Sequence, residues 1–474
     1  MKYSAINIGP IISTLGMARK PRELWTASYL FSHLMKCIYQ VAEEKKLTVI
    51  SPAKPEKDNP EVGIYPDRIY IEGEVDVKTL LGDAMAIFYK DLEGYKKRPD
   101  LNYFNLMSVS CEADSEPDAI GKLNQKLDVL ELCNYAVDGD AGQTVYEIIS
   151  DKQTLLYKRA TKKESFPLSE LQNISNTNKN YVNKSNYSYF CVVQADGDNV
   201  GKTVSNLKLK SGDVKKISEA LVNFGLQATQ IIKDFGGLPI YAGGDDLLFI
   251  APVIGKDGSH VFKLLDEIEN KAFKEVHDMV SEFNIEDDKK GKVEASLSYG
   301  LSITYYKYPL YEALEKARKL LRDVAKHNSQ KKAVAWSLRK HSGGTFEAVF
   351  SRKNTELWKK FMDLIDETND DDMVSAVAHK IRQNDELVRI VLGRKDDGRL
   401  DALFENILEY DKGKSSYFEA VKLLMPTLFE ESKKDNKLEE LSDSCGKKED
   451  PFIMSLYAIL RIAKFINGEE QHDE

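Results

Sequence analysis

The sequence predicts an α+β fold: two ferredoxin-like palm units followed by a carboxy-terminal helical bundle. Three observations lead there. Between residues 188 and 345, β-favouring runs and amphipathic helical repeats follow one another in a β-α-β-β-α-β-α-β order, the ferredoxin-like arrangement. A similar alternation runs from residue 1 to about 135. From residue 352 to 474 the apolar residues recur at helical spacing.

In the first unit the expected strands are Tyr3–Ile8, Leu47–Ser51, Arg68–Ile71 and Phe104–Cys111, and the expected helices Trp25–Glu44, Val77–Leu92 and Asp118–Cys133. The helical spacing around Trp25 assigns it to the core. Residues 136–187 read as a connector, closed by the Asn-rich run Asn173–Asn186, a predicted loop. The second unit opens on a strand from Tyr189. Ile217, Ala220, Leu221, Phe224, Ala228, Ile231 and Ile232 then mark a helix that Gly236-Gly237 ends. A hairpin follows, then a helix from Val261 to Phe283, a charged loop near Asp287–Gly291 and a strand at Ala295–Thr304. A third helix, marked by Ala313, Leu314, Ala317, Leu320, Leu321 and Val324, leads to a strand at Ala333–Ser337. In the last region the apolar repeats lie around Leu357–Ile365, Leu387–Leu392 and Phe452–Ile466. Glu431–Asp450 is charged and predicted to be a mobile loop. Asp370-Asp371-Asp372 reads as an acid-rich helix start rather than a metal site.

At 474 residues the chain has room for three or four units. Its 67 basic and 76 acidic residues give a formal charge of −9, a poor match for a free-standing nucleic-acid binder. The basic run Lys152–Lys163 reads as a solvated face, and a second basic run spans Lys202–Lys216. No apolar run is long enough to span a membrane. Cys37, Cys111, Cys133, Cys191 and Cys445 are scattered with no C-x-x-C pair, so neither a zinc module nor a disulfide framework is expected, and a cytoplasmic location fits.

The chemistry concentrates in two segments. Tyr241-Ala242-Gly243-Gly244-Asp245-Asp246-Leu247 has the pattern of a tight hairpin whose tip exposes adjacent acids. Alone it also fits an ordinary solvated hairpin. Two carboxylates at such a tip suit Mg²⁺ or Mn²⁺, which take oxygen ligands and share them with substrate phosphates. Upstream, Tyr189–Ala195 reads as a strand ending in an acid, followed by Gly197-Asp198-Asn199-Val200-Gly201 and Lys202. Asp196 can share a metal with Asp245, and the amides from Gly197 to Gly201 can cradle phosphates. A strand with an Asx-type turn is the plainer alternative, and the presence of both segments in one unit argues against it. Asp196, Asp245 and Asp246 are therefore the candidate catalytic and metal-binding residues. Gly197, Asp198, Asn199, Val200, Gly201, Gly243 and Gly244 are the candidate nucleotide-binding residues, with Lys326, Lys331 or Lys332 reaching the outer phosphates.

With these motifs the chain resembles the large polymerase/cyclase-like subunit of type III CRISPR effector complexes, most of all the Cmr (type III-B) type. The D-G-D-x-x-G element at Asp196–Gly201 and GGDD at Gly243–Asp246 resemble its active palm. Ile8-Gly9-Pro10-Ile11-Ile12-Ser13 and Arg22-Glu23-Leu24-Trp25-Thr26-Ala27-Ser28-Tyr29 resemble the start of its first palm, and Tyr65-Pro66-Asp67-Arg68 resembles that palm's P-N-R turn. GGDD alone also suits diguanylate cyclases; the amino-terminal stretch is the specific signal. The sequence departs from the family in showing no His-Asp nuclease pattern before the first palm strand. His277-Asp278 and His472-Asp473 have no companions at cluster spacing, so no DNA-cleaving site is expected.

The resemblance implies an ATP-using nucleotidyltransferase in which two metal ions assist attack on the α-phosphate and release of pyrophosphate. It implies activation by target RNA bound to a guide-RNA complex, other Cmr-type subunits as partners, and no membrane. The product it implies is a cyclic oligoadenylate or an AMP conjugate of S-adenosylmethionine. The first palm lacks GGDD and is expected to be catalytically silent, facing the active palm and holding the acceptor. A non-catalytic scaffold subunit and a free-standing cyclase are the alternatives. Intact Asp196, Asp245 and Asp246 argue against the first, and the amino-terminal palm argues against the second.

Overall fold

In the computed structural model the chain is described at residues 1–56, 61–92, 103–132, 139–151, 156–158, 170–182, 184–210, 212–283, 285–287, 291–368, 373–394, 397–406, 416–433 and 450–468. The expectations for Cys133, Cys445, Asp370–Asp372 and His472-Asp473, and most of those for Lys152–Lys163 and Glu431–Asp450, fall outside these residues.

The first unit is a β-α-β-β-α-β sandwich. Its strands are β1 (Lys2–Gly9), β2 (Thr48–Ser51), β3 (Arg68–Glu72) and β4 (Asn105–Glu112). They form one antiparallel sheet in the order β2-β3-β1-β4. The short helix α1 (Ile11–Gly16) precedes α2 (Pro21–Glu44), and α3 (Val77–Asp91) and α4 (Glu116–Glu131) follow. Proline at the first helical position starts α2, where a missing N–H costs nothing. The Asp76 carboxylate accepts the Thr79 amide at the start of α3, and Ser115 caps α4.

The second unit repeats that order and extends it. Strands β5 (Tyr189–Asp198), β6 (Leu238–Gly243), β7 (Asp246–Pro252) and β10 (Ser296–Tyr305) form the ferredoxin-like core. A two-strand flap, β8 (Glu286–Asp287) with β9 (Gly291–Lys292), precedes β10. Beyond β10 lie β11 (Ala333–Arg339) and β12 (Thr345–Ser351), giving a six-stranded sheet in the order β12-β11-β10-β5-β7-β6. β12 was not expected. It pairs with β11 from Ser351 to Thr345, so the palm runs past residue 345 into the join with the last region.

β1, β5 and β7 read as nearly continuous apolar runs because both faces of each sheet are covered. Alternation along each strand sorts the residues into two cores. Tyr3, Ala5, Tyr189, Cys191, Val193, Leu247 and Phe249 enter one, with the carboxy-terminal helices. Ile6, Ile8, Phe190, Val192, Leu248 and Ile250 enter the other, with Trp25, Leu30, Phe31 and Leu34 of α2. Trp25 is fully buried, as its spacing predicts. Both cores therefore run through both units.

The run Asn173–Asn186 is not an open loop. Its described residues take part in a short helix, Leu171–Ser175, and in two tight turns at Lys179–Tyr181 and Ser185–Ser188. Buried Asn178 donates to the Gly255 carbonyl at 2.8 Å, and buried Asn186 donates to the Phe465 carbonyl at 3.1 Å. Asparagine is common in loops because its amide satisfies backbone groups; here the same property ties the connector to the palm and to the last helix. The last region is helical, with helices including Thr355–Glu367, Ser416–Ser432 and Pro451–Asn467. Among the described residues no helix is long and apolar enough to cross a membrane.

Candidate active site

The hairpin β6–β7 turns through Gly244 and Asp245, with Gly243 paired to Asp246. Gly244 has φ +65°, and the opening positive φ is what a II′-type hairpin turn asks of glycine. The neighbouring strand β5 continues to Asp198 rather than ending at Asp196, because Asp196, Gly197 and Asp198 pair with Ser298, Leu297 and Ser296 of β10. The turn itself is Asn199, at φ +65°, and the helix Val200–Val204 follows.

Gly197 is where the two motifs meet. A Cβ there would lie 2.5 Å from the Asp245 Oδ2 and 2.8 Å from Val200 Cγ2. The Asp245 carboxylate thus rests over the bare backbone between Asp196 and Asp198. Loss of hydration, then the charges of Asp196 and Asp67, push the Asp245 carboxyl up to about 7 against the pull of its backbone amide and Lys326. Asp246 keeps a surface open to solvent. Its carboxyl is raised well above the usual range by dehydration at the turn and then by the charges of Asp196, Asp245 and Asp67. Asp196 is raised by loss of hydration too, held back by Lys326.

The predicted nucleotide-binding residues separate. Asp198 is buried and saturated: its Oδ2 accepts from Ser296 Oγ at 3.0 Å, Ser298 Oγ at 2.7 Å and the Lys332 amide at 3.0 Å. Its Oδ1 accepts from Lys326 Nζ at 3.1 Å. It is a clamp on the strand ends rather than a group turned to a ligand. Gly197 is likewise inside the sheet. Asn199 donates to the Glu294 carbonyl at 2.9 Å, and its own carbonyl accepts from the Thr203 amide. Val200 is buried, and Gly201 has open space where a Cβ would be. Gly243 packs on its own strand, where a Cβ would meet the Tyr241 ring.

Lys326 does not point outward toward a triphosphate. Its Nζ donates to the Gly197 carbonyl at 2.6 Å and pairs with Asp196 Oδ2 and Asp198 Oδ1, each at 3.1 Å. Burial would lower its pKa, but Asp196 and Asp198 more than offset that and the ammonium is raised. Lys331 and Lys332 both have positive φ, +61° and +50°, a costly pair of conformations for side-chain-bearing residues. The bend turns the Lys331 ammonium to the Lys326 carbonyl and the Lys332 ammonium to Glu269, 3.6 Å away.

The first unit supplies the remaining wall. The Ala242 amide donates to the Gly63 carbonyl at 2.9 Å, and a Cβ on Gly244 would come within 4.0 Å of Pro66. Gly63 and Pro66 therefore sit against the GGDD hairpin. α2 holds this segment: Ser32 Oγ accepts the Tyr65 amide at 2.9 Å, and Trp25 Nε1 donates to the Glu61 carbonyl at 3.1 Å. Asp67 is a candidate site residue that sequence reasoning passed over. Loss of hydration and nearby Glu131 raise its carboxyl, against the pull of Arg68. The signal was present, since an acid stands where the resembled turn carries Asn.

Hard carboxylate oxygens crowded until each resists ionising fit a divalent cation. In this conformation Asp196, Asp245 and Asp246 are not gathered into one set of ligand oxygens within 4.8 Å of one another. Lys326 holds the positive charge beside Asp196.

A model of the Cas10/Cmr2 second palm domain matches residues 189–335, and a model of the Cmr2 amino-terminal region matches residues 3–82. The Cmr subunit Cmr2 of Pyrococcus furiosus is 30% identical over 208 residues, 37% of this chain and 22% of that protein. The chain thus spans less than a quarter of that relative's length. Among solved structures, a type III-B Cmr-β assembly in its apo state is similar with TM-score 0.57 and 10% identity, covering 89% of this chain and 78% of that one. A Csm1–Csm4 cassette in complex with cA4 is similar with TM-score 0.53 and 13% identity, covering 98% and 70%. At these identities the structural likeness speaks to the fold.

Proposed function

We propose that this chain, which belongs to the Cas10/Cmr2 family, is an RNA-activated nucleotidyltransferase subunit of a type III CRISPR complex that makes a nucleotide second messenger from ATP. The observation that carries this reading is Asp245 lying over Gly197 beside Asp196, inside the segment matched by the palm model. The reaction joins an acceptor hydroxyl to the α-phosphate of ATP and releases pyrophosphate. Asp196, Asp245 and Asp246 would hold Mg²⁺ or Mn²⁺. When bound, such ions lower the pKa of the attacking hydroxyl and neutralise phosphate charge.

The chain's own work is positional. The two-residue turn fixes Asp245 and Asp246 at one end of the sheet. Asp198 and Lys326 tie that end to β10 and β11, and Gly63–Pro66 braces the hairpin from the silent first palm. Lys326 neutralises Asp196 until a ligand arrives and is then free to turn to phosphate. The proposed partners are other Cmr-type subunits with guide and target RNA, which suits a chain of charge −9 that meets RNA through an assembly. The product is a cyclic oligoadenylate, or an AMP conjugate if S-adenosylmethionine is the acceptor.

The test is to incubate the assembled complex with labelled ATP, with and without target RNA and S-adenosylmethionine, and to identify the product by mass. A target-dependent adenylate product that disappears in Asp196→Asn is expected. Wild-type rates in that variant would assign Asp196 to turn structure, and no product under any condition would leave a scaffold.

A further inference from the structure

We propose a second metal site, outside the palm–palm edge: a Zn²⁺-type centre formed by His33, Cys37 and Asp91. His33 and Cys37 stand four residues apart on α2, so both side chains face one side of the helix. Asp91 is the last residue of α3, which packs beside α2. One candidate ligand atom from each lies within 4.8 Å of the other two, and among the described residues no other trio of His, Cys, Asp or Glu does so.

The environment fits a cation better than it fits a packed core. Both ring nitrogens of His33 are shielded from solvent and have no hydrogen-bond partner. Nε2 lies 3.1 Å from Asp91 Oδ2, near enough for an ion pair but without hydrogen-bond geometry. A buried polar atom without a partner is expensive, and a bound metal would satisfy one of these nitrogens. Tyr29 stacks on the imidazole with ring centres 5.9 Å apart, and Phe88 lies 5.9 Å from it on another side. These rings form the apolar shell that orients ligands and limits water. Cys37 is fully buried, while Asp91 reaches solvent and marks the path of entry.

The ligand chemistry sets the class of metal. Thiolate and imidazole select a borderline or soft divalent ion such as Zn²⁺ over Mg²⁺. With bonds of about 2.0–2.3 Å, tetrahedral ligand atoms stand roughly 3.5 Å apart, so small side-chain rotations close the set around one ion. Three protein ligands leave the fourth position to water. Such an ion would tie the end of α3 to the middle of α2, the helix that also carries Trp25 and Ser32 under the 61–67 segment.

The test is a Co²⁺ titration of the purified full-length chain, in wild type and in an Asp245→Ala/Asp246→Ala background that removes the carboxylate site. One equivalent should give a near-ultraviolet thiolate-to-cobalt charge-transfer band in both. Zn²⁺ should displace it and raise the melting temperature by about a few degrees. Cys37→Ser should abolish the band, and Asp91→Asn should weaken Co²⁺ binding at least about tenfold, one lost ligand falling in the range of energy that a tenfold change represents. If Cys37→Ser fails to fold, the Asp91→Asn titration decides alone, because that side chain is half-exposed. No charge-transfer band in the wild type, a band unchanged in Cys37→Ser, or equal Co²⁺ affinity in Asp91→Asn would overturn the site.

Discussion

The two sheets share one four-strand core order, yet their corresponding ends are built for different work. In the second unit β5 ends in Asp196-Gly197-Asp198, and β6 and β7 are joined by the two residues Gly244 and Asp245. In the first unit β1 ends in Ile8-Gly9, and β2 and β3 are joined by the long stretch 52–67. The short turn gathers acids that repel one another. The long one carries Asp67, whose charge reaches Asp245 and Asp246, and lays its backbone on the partner hairpin through Gly63. One topology thus provides an acidic end and a brace, and the choice is made by a handful of residues beyond the strands. The apolar cores are continuous across both units, so a rotation of one palm against the other would break buried contacts.

The sharpest way to break this comparison is to remove the acids. Asp245→Ala with Asp246→Ala should lower product formation from labelled ATP by roughly a thousandfold or more, about 4 kcal/mol of transition-state stabilisation. Assembly and RNA binding should persist, because neither side chain packs in a core. Activity above a few per cent of wild type would remove the hairpin from the chemistry.

The units also differ in how they hold an arginine. Arg352 is 3% exposed, pairs with Glu269 at 2.8 Å, donates to the Leu297 carbonyl and lies over the rings of Tyr299 and Trp358. Arg68 of the first unit is 22% exposed and meets Asn124, Asp128 and Glu131 at its edge. Removing one partner of a buried pair costs about 3–5 kcal/mol, whereas a partly exposed pair contributes about 1 kcal/mol or less. Arg352→Ala should therefore shift the denaturation midpoint far more than Arg68→Ala. Equal shifts would show that the join between the second palm and the helices is no more tightly packed than the first palm's edge.

Much of this was legible in the residues. The order of strands and helices followed from periodicity, and the proximity of GGDD to Asp196 followed from placing both in one ferredoxin-like unit. Other features depend on tertiary context. Whether Asp198 faces a ligand or a clamp is set by Ser296, Ser298 and Lys332, far along the chain. Lys326 reads as a phosphate ligand because a lysine after a helix usually reaches solvent; here the strand ends recruit it first. β12 escaped because Gly343 and Gly344 look like an exit from the palm when they are only a turn. The pairing of His33 and Cys37 is visible at i, i+4, but the third group, Asp91, comes from another helix.

Gly197→Ala sharpens the comparison without touching an acid. The new Cβ would sit 2.5 Å from Asp245 Oδ2 and must displace it. A misplacement of about 1 Å can cost roughly a hundredfold in rate. The same change at Gly9, where the nearest atom to an added Cβ is 3.8 Å away, should leave activity nearly intact. Product assays on the two variants should differ by that factor; equal effects would mean that the carboxylate does not depend on bare backbone beneath it.

The smallest effect concerns Asp67 and its sign with pH. Its carboxyl is raised in the folded chain by lost hydration and by Glu131, with Arg68 only partly compensating. The folded state then holds the proton more tightly than the unfolded state does. The charged carboxylate is therefore a burden that appears as pH rises from the unfolded value of about 3.9 through the raised folded value. Asp67→Asn keeps the shape and removes the charge. In metal-free buffer it should raise the melting temperature at pH 7–8, with the gain shrinking to nothing as pH falls below about 3, where both states are protonated. The variant should also lower the charge crowding on Asp245 and Asp246, since Asp67 raises both. A gain that grows toward low pH would mean that Asp67 is a stabilising partner of Arg68, and the first unit's turn would then be an ion-pair anchor rather than the strained neighbour of the acidic hairpin.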